Sequence, residues 1–274
     1  MADVNIESLA RELMAAHDVG GTIGVPPSAR EGGLDLATAY AVEAEIVRLR
    51  RETGRRTVGR KVGFANKALW RVLKLDTLVW SHMYDDTVHQ ASAGRASLGI
   101  GGRLAPRIEP EVVLKLQRAL EPGVPDAAAA LAAVDWIALG FEIIDCPFPG
   151  WQFTPADFVA DLGLHAALVV GEPRRVSAET VAALVDELPR FKLALLRNDA
   201  LVEEGSGRNS LRSPALCLAE LAGVASRPPG TDPLAAGELV STGTLTSPQP
   251  IAPGETWTAR VAGTDLPELT VTFQ

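Results

Sequence analysis

The chain has 274 residues, a formal net charge of −8, 47% hydrophobic residues and 22% charged residues. This length accommodates one large domain, or a small domain and a larger one, and the composition is ordinary for a globular protein. The acidic charge argues against nucleic acid as the main partner, no apolar run in the sequence approaches membrane-spanning length, and Met1–Glu7 lacks the pattern of a secretion signal.

The first 56 residues are predicted to be mostly helical. Apolar residues recur at helical spacing over residues 4–17, and Asp35 is placed to cap a second helix over 36–52. A glycine-containing loop at 28–33 separates the two helices. We therefore predict a helical N-terminal portion, residues 1–56, that is distinct in composition from residues 57–274.

From residue 57 onward, short strands and short helices are interleaved. Strands are predicted at 57–64, 77–84, 107–116, 136–144, 166–170, 190–197, 201–203, 238–243, 256–261 and 269–273. Helices are predicted at 66–73, 126–133, 155–161, 178–188 and 214–222, with a turn over 122–125 and a strand break at 205–207. Strands and long helices do not alternate regularly, so the pattern predicts an α+β or mixed-β fold rather than a doubly wound sheet or an eight-fold barrel.

Two carboxylates stand two residues apart at the start of the predicted strand 107–116. Pro110 restricts Glu109 to extended backbone, and alternation along a strand then places Glu109 and Glu111 on the same face. Two like charges on one face are unfavourable unless something neutralises them, and hard divalent cations bind carboxylate oxygens. A solvated acidic strand end explains these two residues alone at least as well.

A third acid, Glu142, interrupts the apolar strand predicted at 136–144. An ionised carboxylate inside an apolar strand is costly when it is buried without a partner. Two acids on one strand and a third on a later strand can form an oxygen cage with positions left for water and substrate. The three residues together therefore predict a site for Mg²⁺ or Mn²⁺.

Two other segments could contact a ligand. Lys61 lies between Gly59 and Gly63 on a predicted strand, and glycine permits close approach to the backbone. Such a lysine could bind a carboxylate or, with a lowered pKa, shuttle a proton, although most lysines are ordinary surface residues. The turn at 242–246 offers hydroxyls and amides for a carboxylate, and a plain strand-terminal turn explains it equally well.

The histidine, cysteine and glycine patterns indicate which kinds of catalytic or metal site the chain could carry. His82 and His165 fall in the strand-rich body and are candidates for a site role, with a satisfied core histidine as the alternative for each. The segment 205–207 lacks the context of a dinucleotide fingerprint, and no Gly-x-Ser-x-Gly elbow is present, which disfavours serine-hydrolase chemistry. Cys146 and Cys217 form no paired motif, which excludes cysteine-held zinc and predicts a reducing cytoplasm.

Five motifs occur in order along nearly the whole chain. They are GRKVG at 59–63 with its continuation at 66–68, RIEPE at 107–111, FEIID at 141–145, EGSG at 204–207 and GELVSTGTLT at 237–246. Taken together, they resemble the motifs of the 2-keto-4-pentenoate hydratase and 4-oxalocrotonate decarboxylase family, within the larger fumarylacetoacetate hydrolase superfamily. Any one of these motifs is a weak signal, whereas five in order are a strong one.

The resemblance implies an α+β fold in which a helical N-terminal cap, residues 1–56, precedes a mixed β-roll catalytic domain, residues 57–274. It also implies a homo-oligomer, Mg²⁺ or Mn²⁺ held by Glu109, Glu111 and Glu142, a site lysine at Lys61, and a substrate-contacting turn that includes Thr242, Gly243 and Thr244. In such a site the metal chelates the 1-carboxylate and 2-oxygen of a 2-hydroxydienoate or its 2-oxo tautomer. Lys61 or a nearby group then helps to move the proton during ketonisation, before water adds to the alkene.

Two segments depart from the family pattern. Ser81 and His82 stand where many members carry acidic residues, and Leu162, Leu164 and His165 replace a polar segment. Both places are expected near the pocket, so the substitutions imply a more apolar or reshaped pocket that includes the two leucines. We hypothesise that His82 or His165 takes over acid–base work from the missing polar groups.

The resemblance thus implies a metal-dependent hydratase that adds water to a 2-hydroxy-2,4-dienoate or 2-oxo-alkenoate, giving a 4-hydroxy-2-oxo acid, in catabolism of an aromatic or alicyclic compound. The alternatives are decarboxylation of a 2-oxo-enedioate, C–C hydrolysis of an acylpyruvate, and a non-catalytic subunit that stabilises a partner enzyme. Three costly acids argue against the non-catalytic alternative. The expected partners are a small 2-oxo acid, further copies of the chain and an enzyme of the same pathway, with no membrane or nucleic acid.

Overall fold

Seven α-helices and fourteen strands are found in the computed structural model, which describes residues 4–123 and 126–274. The helices are α1 (Ile6–Val19), α2 (Leu36–Glu52), α3 (Lys67–Leu73), α4 (Ala127–Leu131), α5 (Pro155–Ala160), α6 (Ala178–Glu187) and α7 (Pro214–Val224). The strands are β1 (Thr57–Gly63), β2 (Val79–Tyr84), β3 (Val88–Gln90), β4 (Arg95–Leu98), β5 (Arg107–Leu116), β6 (Val134–Ile144), β7 (His165–Val170), β8 (Arg174–Arg175), β9 (Lys192–Arg197), β10 (Ala200–Ser206), β11 (Leu239–Ser241), β12 (Gln249–Pro250), β13 (Thr256–Ala262) and β14 (Leu269–Phe273). This mixture confirms the predicted α+β class.

The strands form two sheets. The larger has nine strands in the order β2-β1-β11-β5-β6-β7-β3, with β12 paired to β5 and β8 paired to β6. The smaller has five strands in the order β10-β9-β13-β14-β4. The longest pairing joins β5 and β6, which run antiparallel from Arg107 opposite Ile144 to Leu116 opposite Val134. These two strands form the middle of the larger sheet and carry all three predicted metal ligands.

The N-terminal helices pack against the face of the larger sheet that the acids do not occupy. The N–H of Trp80 on β2 donates to the Tyr40 hydroxyl on α2 over 3.2 Å, and the two rings lie 5.2 Å apart. Leu13 of α1 and Ile46 of α2 belong to the same buried cluster as Val112 of β5. Since these helices share the main core, the division at residues 56 and 57 stays a prediction about domains.

Most predicted elements agree with the structure to within a few residues, and the strands predicted at 107–116 and 269–273 agree at both ends. The break predicted at 205–207 comes at the end of that segment, because β10 continues through Gly205 and Ser206 and a 3-10 turn begins at Gly207. A Cβ atom at Gly205 would lie 2.2 Å from the carbonyl oxygen of Leu245, so this glycine permits close packing rather than ending the strand.

The short strands β3, β8 and β12 have too few residues to show the two-residue alternation by which a strand is predicted from sequence. The turn predicted at 122–125 includes residues 124 and 125, which lie outside the described residues.

No helix within residues 4–123 or 126–274 is long and apolar enough to cross a membrane.

A buried carboxyl group follows α5. Asp161 is 1% exposed, and within the described part of the chain its Oδ2 has no hydrogen-bond partner. Burial raises the pKa of this carboxyl well above its usual range, and the nearby carboxylates of Asp145 and Asp157 raise it further. The folded protein therefore binds a proton at Asp161 more tightly than the unfolded chain does.

We expect Asp161→Asn to stabilise the protein at neutral pH. For a carboxyl whose pKa is higher in the folded state, the free energy of unfolding is largest below the unfolded pKa of about 3.9 and falls as pH rises toward the folded pKa. Asparagine removes this loss, so we expect the free energy of unfolding at neutral pH to rise by roughly 1–3 kcal/mol and to depend less on pH. Urea unfolding measured across a pH series tests this, with exposed Asp199→Asn as the control; a loss of stability at every pH would contradict it.

Candidate metal centre and active site

One face of the larger sheet carries a row of polar side chains across six adjacent strands. The pairing aligns Lys61 of β1 with Ser81 of β2 and with Ser241 of β11, and Glu109 of β5 with Glu142 of β6. The row is Ser81, Lys61, Ser241, Glu109 with Glu111, Glu142 and His165. Sheet register therefore gathers residues that are as far apart as 61 and 241 in the sequence.

The three predicted metal ligands lie together and are buried. One carboxylate oxygen from each of Glu109, Glu111 and Glu142 lies within 4.8 Å of the others, and the residues are 8%, 1% and 0% exposed. Oε2 of Glu111 accepts hydrogen bonds from the hydroxyl of Ser241 (2.5 Å) and the N–H of Gly243 (2.9 Å). Its Oε1 has no hydrogen-bond partner among the described residues. The carboxylate of Glu111 is thus held in place through Oε2, while its Oε1 remains available to bind a ligand.

Charge in this cluster is unbalanced. Burial raises the pKa of Glu109 to about 7 and that of Glu111 well above its usual range; Lys61 opposes both shifts, and Glu142 adds to them. Burial also acts to raise the pKa of Glu142, but Lys61 and His165 outweigh it and the pKa is lowered. Three carboxyl groups thus face a single ammonium group. Buried oxygen donors with excess negative charge fit a hard divalent cation, which these three glutamates would hold.

The position of Lys61 is fixed by the backbone around it. Its Nζ lies 3.1 Å from Oε2 of Glu142, donates to the carbonyl of Gly163 over 2.8 Å, and lies 4.6 Å from the ring centroid of Phe158. Burial lowers the pKa of Lys61, but the three glutamates outweigh it and the pKa is raised. This direction is opposite to the lowered pKa considered from the sequence, because the surrounding carboxylates favour the charged ammonium group.

A tight turn between α5 and β7 presents the Gly163 carbonyl to Lys61. Leu162, Gly163 and Leu164 all have positive φ, at 55°, 64° and 58°. A Cβ atom at Gly163 would lie 2.6 Å from Cδ of Lys61, so only glycine fits there. The side chains of Leu162 and Leu164 are buried in the main core. The segment contacts the site through its backbone, and a pocket-lining role for the two leucines stays a prediction.

The structure places the two candidate histidines on opposite faces of the sheet. His165 is buried; its Nδ1 lies 2.7 Å from Oε1 of Glu142, and its Nε2 lies 2.9 Å from the Thr87 hydroxyl. Burial lowers the pKa of His165, with Glu142 opposing, so a neutral ring that donates from Nδ1 and accepts at Nε2 fits both contacts. His82 instead shares a face of β2 with Trp80, and its Nδ1 lies 2.8 Å from Glu43 on α2. The structure does not bring His82 to the acids.

The turn that follows β11 supports Glu111. Gly243, with a φ of 86°, donates its N–H to Glu111. The Thr242 hydroxyl donates to the carbonyl of Val112, and that of Thr244 donates to the carbonyl of Thr246. These hydroxyls are engaged within the protein, so contact between this turn and a substrate stays a prediction.

The sequence analysis assigned no individual role to several residues of this site. Ser81 is fully buried beside Lys61, and its Oγ has no hydrogen-bond partner in the described part of the chain. Ser241 binds Glu111, and Arg107 lies two residues before Glu109 on the same face of β5. Alternation along β5 was sufficient to find Arg107. The two serines depend on strand pairing, which no local pattern reveals.

Comparison with known proteins found relatives in sequence and in structure. No protein-family model matches the chain. The chain is 31% identical over 247 residues to 2-keto-4-pentenoate hydratase 1 of Dechloromonas aromatica (strain RCB), covering 88% of each chain. It is similar in structure to 4-oxalocrotonate decarboxylase from Pseudomonas putida G7 complexed with magnesium and adipate, with a TM-score of 0.87 and 25% identity, covering 98% of this chain and 97% of that one.

A more distant likeness concerns the fold alone. Fumarylpyruvate hydrolase from Pseudomonas aeruginosa, in complex with Mn²⁺ and pyruvate, has a TM-score of 0.59 and 18% identity, covering 79% of this chain and 88% of that one. The decarboxylase structure holds magnesium, and the three buried acids of the present chain form a group that could hold a metal ion.

We expect Glu111→Gln to weaken Mg²⁺ or Mn²⁺ binding by roughly 100-fold or more, since loss of an outer-shell partner alone costs about 10–100-fold. The amide keeps the shape of the side chain but removes the charge and the free anionic oxygen. Isothermal titration with each cation measures the effect, and Glu204→Gln on the exposed part of β10 is a matched control. Unchanged affinity would remove Glu111 from the ligand set.

Proposed function

The chain belongs to the 2-keto-4-pentenoate hydratase family, within the fumarylacetoacetate hydrolase superfamily, and we propose that it is a metal-dependent hydro-lyase. It adds water to a 2-hydroxy-2,4-dienoate, or its 2-oxo tautomer, to give a 4-hydroxy-2-oxo acid in the catabolism of an aromatic or alicyclic compound. The observation that carries the proposal is the buried cluster of Glu109, Glu111 and Glu142 with Lys61 at its side. Such a cluster suits a reaction in which negative charge develops on an oxygen next to a carboxylate.

The proposed division of labour follows from the contacts. The three glutamates would hold a divalent cation, which we propose to be Mg²⁺ or Mn²⁺ and which would supply positive charge to stabilise an enolate. Lys61 is charged and fixed at Nζ, so it can deliver a proton to a carbon of the dienol during ketonisation. The enol proton leaves the 2-oxygen, C5 gains a proton, and water then adds its hydroxyl at C4 and its hydrogen at C3 of the conjugated alkene.

The remaining residues orient these groups. We propose that His165 positions Glu142, since it touches that carboxylate rather than the open side of the cluster. Gly243 and Ser241 do the same for Glu111. Thr242 and Thr244 stay in the proposal as residues of a turn beside the substrate. We leave His82 out of the proposed catalytic set, because it faces α2.

Decarboxylation of a 2-oxo-enedioate is a second candidate. The likeness to 4-oxalocrotonate decarboxylase over 98% of this chain favours it, and both reactions need the same stabilised enolate. We further propose the mixed β-roll as the architecture of the body and a homo-oligomer that can associate with a pathway enzyme. The family resemblance supports these points. We also propose a reducing cytoplasm, which is supported by Cys146 and Cys217 being free thiols.

A substrate panel separates the two reactions. We expect the purified protein with Mg²⁺ to remove the conjugated absorbance of 2-hydroxy-2,4-dienoates without releasing CO₂, and to form a 4-hydroxy-2-oxo acid that is detectable by mass spectrometry. The same protein treated with a chelator is the control and is expected to be inactive. Release of CO₂ in step with loss of a 2-oxo-enedioate would show that the protein is a decarboxylase and would contradict the proposed hydration. No turnover in either assay with metal bound would overturn the enzymatic proposal.

The two histidines are expected to respond differently to substitution. We expect His82→Ala to retain turnover and metal affinity, since His82 contacts α2. His165→Ala is expected to weaken metal binding by about 10–100-fold, because it removes the donor that orients Glu142. His165→Asn keeps an N–H donor and should recover part of the affinity. Titration calorimetry and initial rates provide the comparison; equal effects of the two alanine variants would contradict it.

A further inference from the structure

We infer that a second cavity, on the other side of the larger sheet from the acids, binds the phosphate group of a small metabolite, and that its occupancy is coupled to the metal centre. This arginine cavity has a volume of about 430 Å³ and lies between the ends of α1 and α2, the start of β7 and the segment 98–103. Its size falls in the range of roughly 300–1,000 Å³ that is typical of small-molecule sites. Ile143 lines it, and alternation along β6 places Ile143 and Glu142 on opposite faces.

The first observation is a buried arginine whose donors are not satisfied. Arg50 of α2 lines the cavity and is only 3% exposed. Within the described part of the chain, its Nε and Nη1 have no hydrogen-bond partner. Asp18 and Asp86 each lie 3.8 Å from its guanidinium nitrogens, which is beyond hydrogen-bond distance. A buried guanidinium with unpaired N–H groups is costly, so an anion bound in the cavity would stabilise it.

The second observation is an excess of positive charge. Arg55 and Arg103 also line the cavity, so three arginines stand against two aspartates among the lining residues. Arg55 is paired with Asp86 at 2.6 Å. Burial lowers the pKa of Arg103, and Arg50 lowers it further while Asp145 opposes both effects. The guanidiniums of Arg50 and Arg103 thus repel each other, and a phosphate dianion between them would replace this repulsion by charge-assisted hydrogen bonds.

The nearby helix ends do not account for the free donors. Cations near a helix C-terminus offset its dipole and can bind its last carbonyls. Here the N–H groups of Gly20 and Gly21 donate to the carbonyl of Ala16 at the end of α1, and the N–H of Thr53 caps α2. Capping by the backbone therefore leaves the N–H groups of Arg50 available to a ligand.

The third observation is a glycine-rich wall at 99–102. The N–H groups of Gly101 and Gly102 form no hydrogen bond within residues 4–123 and 126–274. A Cβ atom at Gly20 would lie 1.8 Å from the carbonyl oxygen of Gly102, so the end of α1 packs directly against this segment. Glycine-rich backbone can bind phosphate oxygens through its N–H groups, because no side chain blocks the approach.

The fourth observation is a chain of contacts from the arginine cavity to the metal centre. His17 lines the cavity, and its Nε2 donates to the carbonyl of His165 over 2.8 Å. Thr87 also lines it, and its hydroxyl lies 2.9 Å from Nε2 of His165. The Nδ1 of His165 lies 2.7 Å from Glu142. A ligand that contacts His17 or Thr87 can therefore change how Glu142 is held, and its negative charge favours a cation on the other side of the sheet.

Calorimetric titration of the metal-free protein with inorganic phosphate tests the site. We expect saturable binding of one phosphate per chain, tighter by roughly 10-fold or more than binding of acetate at equal ionic strength. Arg50→Gln and Arg103→Gln are each expected to weaken phosphate binding by roughly 10-fold or more, because each removes charge-assisted hydrogen bonds. Arg103 is half-buried, so its variant serves if Arg50→Gln does not fold, and thermal unfolding checks both. Exposed Arg190→Gln is the matched control and should leave the affinity unchanged.

The coupling is measured by repeating the phosphate titration with Mg²⁺ at saturation, with free concentrations corrected for the Mg²⁺–phosphate complex. We expect Mg²⁺ to tighten phosphate binding by about 5-fold, and phosphate to tighten Mg²⁺ binding by the same factor, since coupling between two sites is reciprocal. Glu111→Gln, which weakens the metal centre, should lose this effect.

Three results would overturn the phosphate site: binding that does not saturate, binding no tighter than that of acetate, or an Arg103→Gln variant with unchanged affinity. Equal phosphate affinity with and without Mg²⁺ would overturn the coupling. The proposed hydration stands or falls separately, because the substrate panel measures it in the absence of phosphate.

Discussion

The ion pair between Lys61 and Glu142 is the contact on which the acid site depends. Three carboxyl groups within 4.8 Å of each other, all at least nine-tenths buried, would repel one another strongly without a cation. Lys61 is the one cation in direct contact with them among the described residues, and Nζ is held by both Glu142 and the Gly163 carbonyl. One ammonium group does not balance three carboxylates, so the site stays electrostatically incomplete. This incompleteness is the physical basis of a preference for a divalent ion.

Sheet pairing produces this arrangement more than any local sequence does. The ten-residue pairing of β5 with β6 places Glu109 directly opposite Glu142, and a slip of one residue would turn Glu142 to the other face. On the other side, β11 lies between β5 and β1 and delivers Ser241 to Glu111. The apolar residues of the opposite face specify this register, since they must meet the core formed with α1 and α2. The hydrophobic pattern therefore positions the acids indirectly.

The sequence could predict which side chains share a face of a single strand, but not which side chains meet across two paired strands. Alternation across Pro110 was enough to place Glu109 and Glu111 together, and the cost of a buried acid identified Glu142. For β2 the same rule only separates Ser81 from His82. Which of the two faces Lys61 depends on the pairing of β2 with β1, and His82 was chosen because it stands where many family members carry acidic residues. The structure reverses that choice: Ser81 lies beside Lys61, and His82 pairs with Glu43 on α2.

The buried acids and the more accessible end of the same strand face lie on different parts of the fold. The three glutamates and Lys61 lie on the central strands β1, β5 and β6, where they are buried and the strands are paired on both sides. The open end is formed instead by Arg107 at the first residue of β5 and by Trp151 in the irregular segment between β6 and α5. Trp151 has a positive φ of 57°, a strained conformation for a bulky residue, and it is this backbone that brings the indole over the guanidinium. Because the two parts share only the strand face that runs from Arg107 to Glu111, a change in this irregular segment leaves intact the pairing of β5 with β6 that positions the acids.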